Sequence, residues 1–206
     1  MDPRGVVVAA PDAGRAEALA TALQSLGLAP ELTCSLQHEP HDERLVALVL
    51  DGLPTASTLR LMADTIARRP MFPIVVLGPV ETDLEPLIAL ASGATGYLAA
   101  DATVDEVATA VHSLLDGDVV LPAFVVATLV RGLRCSGRGV VLHRHGGAPV
   151  VLTHREWEVL VLLRQGRSTA EIAARFVVAP GTVRTHVSTI MRKLGADPRA
   201  ALDTAD

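Results

Sequence analysis

Short apolar runs alternate with stretches of helical period through the first half of the chain, whereas from about position 150 onward only the helical period remains. Gly5 to Ala10 (GVVVAA) reads as a short buried strand. Ala16, Leu19, Ala20, Leu23 and Leu26 then mark one face of a helix that ends at Gly27. A second strand is expected within Leu28 to Leu36. Leu45 to Leu50 (LVALVL) is a continuous apolar strand ending at Asp51, and Ile74 to Leu77 and Gly96 to Ala99 are two more. Between them lie helical stretches at Thr58 to Ala67 and Leu84 to Ala91, the latter with Pro86 in its first turn. Thr103 and Glu106 have the spacing of a capping box and open a helix to Leu115. Strands alternating with helices predict a parallel sheet covered on both faces.

The second half predicts a different architecture. Pro122 to Leu133 reads as a helix leading out of the α/β region, and Arg134 to Pro149, rich in Gly and Arg, as a linker. Thr153 and Glu156 form a second capping box, followed by the apolar face of Val159, Leu160 and Leu163 and a stop at Gly166. Ser168 and Glu171 form a third, ahead of Ile172, Ala173 and Phe176. A short turn, Val177 to Ala179, leads to Pro180, which suits the first position of a helix reaching Leu194. In that helix Val183, Val187, Ile190 and Leu194 form an apolar stripe, while Arg184, Ser188 and Arg192 stand four apart on another face. Two short helices and a longer third with a polar outer side predict a helix-turn-helix. Beyond Gly195, Asp197 and Pro198 open a last short helix with Leu202 as its main apolar contact. The division expected is therefore 1–120, an α/β domain; 121–149, helix and linker; and 150–206, the helical domain.

Charge divides at the same place. Residues 1–130 hold 6 Arg and no Lys against 17 acidic groups, a net charge of −11. Residues 131–206 hold 12 Arg plus Lys against 6 acidic groups, a net charge of +6. An acidic body with a basic tail fits a protein whose tail meets nucleic acid. The chain has five aromatic residues, so its cores must be built from Ala, Val and Leu. No apolar run is long enough to span a membrane and the opening MDPRGVVVAA lacks signal-peptide anatomy, so a cytoplasmic protein is expected. Cys34 and Cys135 are isolated and read as reduced thiols; His143 and His145 lack a third metal ligand.

With these residues in view, the segment Leu152 to Leu194 resembles the DNA-binding domain of the LuxR/FixJ/NarL class of bacterial transcription regulators. The resemblance is carried by LTHREWEVL at 152–160, GRSTAEIA at 166–173 and PGTVRTHVSTIMRKLG at 180–195. It implies base-reading roles for Arg184, Thr185 and Ser188, and phosphate-backbone roles for Thr182, Arg192 and Lys193. Arg184 suits bidentate contact to guanine and Thr185 offers a methyl to thymine, while Arg192 and Lys193 would add salt-sensitive affinity. It also implies a homodimer on palindromic double-stranded DNA, with the short last helix giving a weak dimer contact. One departure is Ala179, where the class has Ser or Thr as the helix cap.

The first half resembles the receiver domain of two-component response regulators: a flavodoxin-like α/β fold of five parallel strands in the order 2-1-3-4-5, with its site at the carboxyl ends of the strands. The strongest match is ASGATGYLAADATVDEVATAV at 91–111. Receivers carry phosphate on an Asp ending the third strand, where Asp51 stands here. They hold Mg²⁺ with that Asp and an acidic pair, and use a Lys and a Ser or Thr nearby, because phosphoryl transfer needs positioned positive charge. In this chain the acidic-pair positions read Ala10 and Pro11, the hydroxyl position Gly78 and the lysine position Ala100. Lys193 is the chain's one lysine and lies in the other domain, no Arg stands near position 100, and only Asp12 offers a further carboxylate. The resemblance therefore implies an atypical, degenerate receiver without Mg²⁺ or other cofactor, not switched by ordinary phosphorylation of Asp51. Tyr97, at the aromatic switch position, reads as packing.

Constitutive dimerisation, or a small-molecule ligand in an emptied pocket near Asp12, Asp51, Gly78 and Ala100, would replace the phosphate signal. Two other readings stay open: a phosphorylation-switched regulator using Asp51, and a protein-binding adaptor that has lost DNA contact. Catalysis is not expected, since the chain has neither a phosphate-binding G-x-x-x-x-G-K-[ST] loop nor a G-x-S-x-G nucleophile elbow.

Overall fold

A computed structural model describes residues 4–33, 45–52, 54–70, 72–80, 84–134, 139–142 and 149–195. Two compact units result, with the main division between Ala123 and Phe124. The expected last helix after Asp197, both cysteines, His143 and His145 lie outside the described residues.

The first unit alternates strands and helices: β1 (Arg4–Ala9), α1 (Ala13–Ser25), β2 (Leu28–Thr33), β3 (Leu45–Asp51), α2 (Ala56–Arg68), β4 (Ile74–Gly78), α3 (Leu84–Ala91), β5 (Gly96–Ala99) and α4 (Val104–Leu115). The five strands form one sheet in the order β2-β1-β3-β4-β5, and every pairing is parallel. This is the flavodoxin-like receiver fold. Its central strands are buried on both faces, which is why β3 and β4 read as unbroken apolar runs rather than alternating ones. Val6, Val8, Ala47, Val49, Val75 and Leu77 share a core with Ala16, Leu19 and Leu23 of α1 and Val107, Val111 and Leu114 of α4. The intervening positions, Val7, Leu48, Leu50, Ile74 and Val76, are equally buried, so the opposite face is covered too. Full burial of one such side chain is worth roughly 1.5–3 kcal/mol. The small aliphatic residues thus supply a core that five aromatic residues could not.

Helix starts follow the local chemistry. Asp12 caps α1, Thr55 caps α2, and Thr103 with Glu106 closes a reciprocal capping box on α4.

The second unit contains α5 (Ala123–Arg134), β6 (Val140–Leu142), β7 (Val150–Leu152), α6 (His154–Arg164), α7 (Thr169–Phe176) and α8 (Pro180–Leu194). Strands β6 and β7 pair antiparallel as a two-stranded sheet. Strand β6 falls in the stretch 134–149 expected as linker and β7 at the start of the domain expected to be helical, because each is a single Val-Val-Leu triplet, too short to show a period; only pairing makes them strands. Leu142 and Leu152 are buried by it. Capping boxes at Thr153/Glu156 and Ser168/Glu171 start α6 and α7.

Candidate nucleic-acid interface and carboxylate pocket

Helix α8 packs on α6 and α7 through the stripe the sequence marks: Val183, Val187, Ile190 and Leu194 are all buried. Burial of that stripe turns the other face outward, and Thr182, Arg184, Thr185, Ser188 and Arg192 are all exposed. Arg184, Ser188 and Arg192, spaced by four, line one side of the helix. Thr185 donates its hydroxyl to the Gly181 carbonyl at 3.1 Å, leaving its methyl and oxygen lone pairs outward. Ala179 makes no side-chain cap bond, so Pro180 alone preorganises the start of α8.

Lys193 stands apart from this exposed set. Its Nζ lies 2.6 Å from Glu156 Oε2, and the Glu156 side chain is only 7% exposed. The same Oε2 accepts the Thr153 backbone N–H at 2.7 Å. One buried carboxylate therefore completes the cap of α6 and ties it to the last turn of α8. Burial pushes the Glu156 carboxyl up, but the Lys193 ammonium and the Thr153 donors outweigh it and hold the group below its usual value of 4.5. Lys193, expected to face the phosphate backbone, has its ammonium engaged by Glu156 within the folded chain. The turn between α7 and α8 is strained: Val177, 91% exposed, has φ 55° and ψ 48°.

At the carboxyl edge of the first unit, strand register gathers the pocket residues. Ala9 pairs with Leu50, Asp51 with Leu77, and Gly78 with Ala99, so Ala10, Asp51, Gly78 and Ala100 stand at the ends of four neighbouring strands. Ala10 is buried, whereas Pro11, Asp12 and Ala100 are exposed. Asp12 accepts the Arg15 backbone N–H at 2.7 Å as the cap of α1.

The residue that dominates this edge is Arg15, which sequence reasoning missed. Its Nε lies 2.9 Å from Asp51 Oδ2, with Asp51 11% and Arg15 28% exposed. The Nε–H is not aligned on the carboxylate, so this is a charge pair rather than a directed hydrogen bond. Nη2 donates to the Ala102 carbonyl at 3.0 Å. The stretch around Ala100 offers no cation, as expected, but the first turn of α1 supplies one to Asp51. The signal was available: helical side chains lean toward the N-terminus of their helix, and for α1 that end is the carboxyl edge of the sheet.

The pocket's other occupant is Tyr97, which is fully buried, as read from the sequence. Its hydroxyl donates to the Pro79 carbonyl at 2.9 Å, and it occupies the space a side chain at Gly78 would need. Of the residues expected around a ligand, Asp51 faces the Arg15 guanidinium and Gly78 lies against the Tyr97 ring. These residues do not fit a divalent cation. Ala10 and Pro11 bring no carboxylate, Asp12 is turned to its helix cap, and Asp51 already faces a guanidinium. Among the described residues no group of three or more His, Cys, Asp or Glu is placed to hold a metal, and no helix is long and apolar enough to cross a membrane.

Comparison with known proteins places these features. Residues 150–203 match the family of bacterial regulatory proteins, luxR family. The chain is 42% identical over 121 residues to the probable transcriptional regulatory protein NarL of Mycobacterium tuberculosis, covering 57% of this chain and 52% of that protein. It is 29% identical over 177 residues to the DNA-binding transcriptional activator DevR/DosR of the same species, covering 86% of this chain and 79% of that one. The chain spans about half the length of the NarL relatives it matches. Among solved structures, the response regulator ChrA of a heme-sensing two-component system matches with a TM-score of 0.51 at 24% identity, covering 100% of this chain and 97% of that one. A structure of two RcsB dimers bound to two parallel DNAs matches at a TM-score of 0.51 and 18% identity, over 98% of both chains. Residues 150–203 are thus similar to the luxR family of bacterial regulatory proteins, and the relatives named are transcriptional regulators.

Proposed function

We propose that this protein is a sequence-specific transcription regulator of the bacterial cytoplasm that binds double-stranded DNA through α8 and works without ordinary phosphorylation of Asp51. Arg184, Thr185 and Ser188 read base edges in the major groove, and Thr182 and Arg192 meet the phosphate backbone. Lys193 contributes through its hold on α8 and through the field of a basic unit. The chain acts as a homodimer on a palindromic site. The observation that carries the reading is the division of α8 into a buried apolar stripe and an exposed Arg184–Ser188–Arg192 face, inside a segment with the luxR-family pattern.

The test is genome-wide mapping of bound DNA followed by mobility shifts on a recovered site. Arg184→Ala is expected to weaken binding by about 1–3 kcal/mol and to relax preference at one base pair. Unchanged sequence-specific binding would instead favour a protein-binding adaptor.

Phosphorylation independence rests on the missing metal ligands and on Gly78 and Ala100, with control by constitutive dimerisation or by a ligand in its place. Arg15 is the one observation that favours the alternative, since a guanidinium can neutralise a phosphoryl group. Incubation with Mg²⁺ and acetyl phosphate separates the two readings. An unchanged intact mass and unchanged DNA affinity are expected; an aspartyl phosphate at Asp51 that tightens DNA binding would establish the switched regulator.

A further inference from the structure

We infer that Arg15 is a resident counter-ion of Asp51: a covalently attached cation that takes the place a divalent metal would need and pins the end of β3 to the β5–α4 turn. The inference rests on the reading of this unit as phosphorylation-independent and supplies its mechanism. Asp51 is 11% exposed, so most of its hydration is gone, and it must be compensated by a neighbouring charge. The compensation comes from Arg15 Nε at 2.9 Å. A hard dication entering here would meet that guanidinium rather than a free set of carboxylate oxygens.

The same side chain reaches further. Through Nη2 it grips the Ala102 carbonyl, one residue before the Thr103 cap of α4, while its own backbone N–H is held by Asp12. Arg15 thus joins three segments: the α1 start, the β3 end and the turn leading into α4. Its planar fork suits two partners in different directions, which an ammonium at the position of Ala100 could not serve. The pair is present in the folded chain without any added ligand, so the arrangement around Asp51 is set by folding alone.

The experiment measures urea midpoints of the full chain for wild type, Arg15→Gln, Asp51→Asn and the double variant, each with and without millimolar Mg²⁺. Both single variants are expected to lower the midpoint, and the double variant to lose clearly less than their sum. Mg²⁺ is expected to leave the wild-type midpoint unmoved. Arg15→Lys, which keeps the charge, is expected to stay indifferent to Mg²⁺. Additive single losses, or a wild-type midpoint that rises with Mg²⁺, overturns the inference. No phosphodonor or DNA enters these measurements. Aspartyl phosphate on the wild-type chain would sink the functional reading, whereas additivity sinks the role of Arg15 alone.

Discussion

The phenol of Tyr97 stands where a side chain at position 78 would begin: a Cβ built on Gly78 would overlap its hydroxyl, which instead donates to the Pro79 carbonyl at 2.9 Å. The missing side chain and the buried ring are one arrangement. A hydroxyl-bearing residue at position 78 would have to displace the only tyrosine of the chain.

Gly78→Ser is therefore expected to destabilise the first unit by about 1–3 kcal/mol through overpacking. Because Tyr97 is the sole tyrosine, protein grown with 3-fluorotyrosine gives a single fluorine resonance. That resonance should move toward the solvent-exposed position in Gly78→Ser and stay put in wild type with or without Mg²⁺. A buried-type signal in Gly78→Ser would show that the ring and the new side chain fit together after all.

Glu156 and Lys193 make stability depend on acidity. The folded carboxyl titrates below 4.5, so its contribution is complete above that value and drains away as pH falls through the lower folded value. The contribution of this pair to the urea midpoint of the full chain should be lost on the acid side of 4.5, and Lys193→Gln should reduce that loss by removing the main stabilising partner. At neutral pH, Lys193→Gln strands a buried carboxylate and should cost about 3 kcal/mol.

The same pair separates two kinds of cation on α8. Arg192→Ala should reduce the salt slope of DNA affinity by about one unit with little change in stability. Lys193→Gln should do the reverse, lowering the urea midpoint while leaving most of the slope. Equal salt effects from both would return Lys193 to the phosphate backbone.

Two changes at the α7–α8 turn should stabilise. Ala179 offers no cap to α8, and Ala179→Ser supplies one worth about 1 kcal/mol. Val177 holds a left-handed conformation with its side chain 91% exposed, so little burial is lost on replacement. Val177→Gly should gain about 1 kcal/mol by removing the β-branched clash. Thermal unfolding of each variant checks both, and a lowered midpoint in Val177→Gly would mean that the exposed valine contributes more than its strain costs.

How legible these features were follows the range of the forces behind them. The capping boxes at Thr103, Thr153 and Ser168 were readable because both partners lie within one helical turn. The buried stripe of α8 was readable because helical period and burial coincide on a packed surface helix. The hairpin of β6 and β7 was not, since three-residue strands carry no period and exist only by pairing. The employment of Lys193 was missed because Glu156 lies 37 residues away and was already accounted for as a cap.

The sequence by itself determined the order of strands and helices, the acidic and basic halves, the outward face of α8 and the absence of Lys at the edge of the sheet, all consequences of local period or composition. Only the tertiary structure decided what stands at that edge. Strand order carries Asp51 beside the start of α1, where Arg15 can reach both its carboxylate and the carbonyl of Ala102, 87 residues along the chain. A charge is placed by the fold and not by its neighbours in sequence, because Coulomb attraction acts through space while the chain's own pattern speaks only for a turn or two at a time.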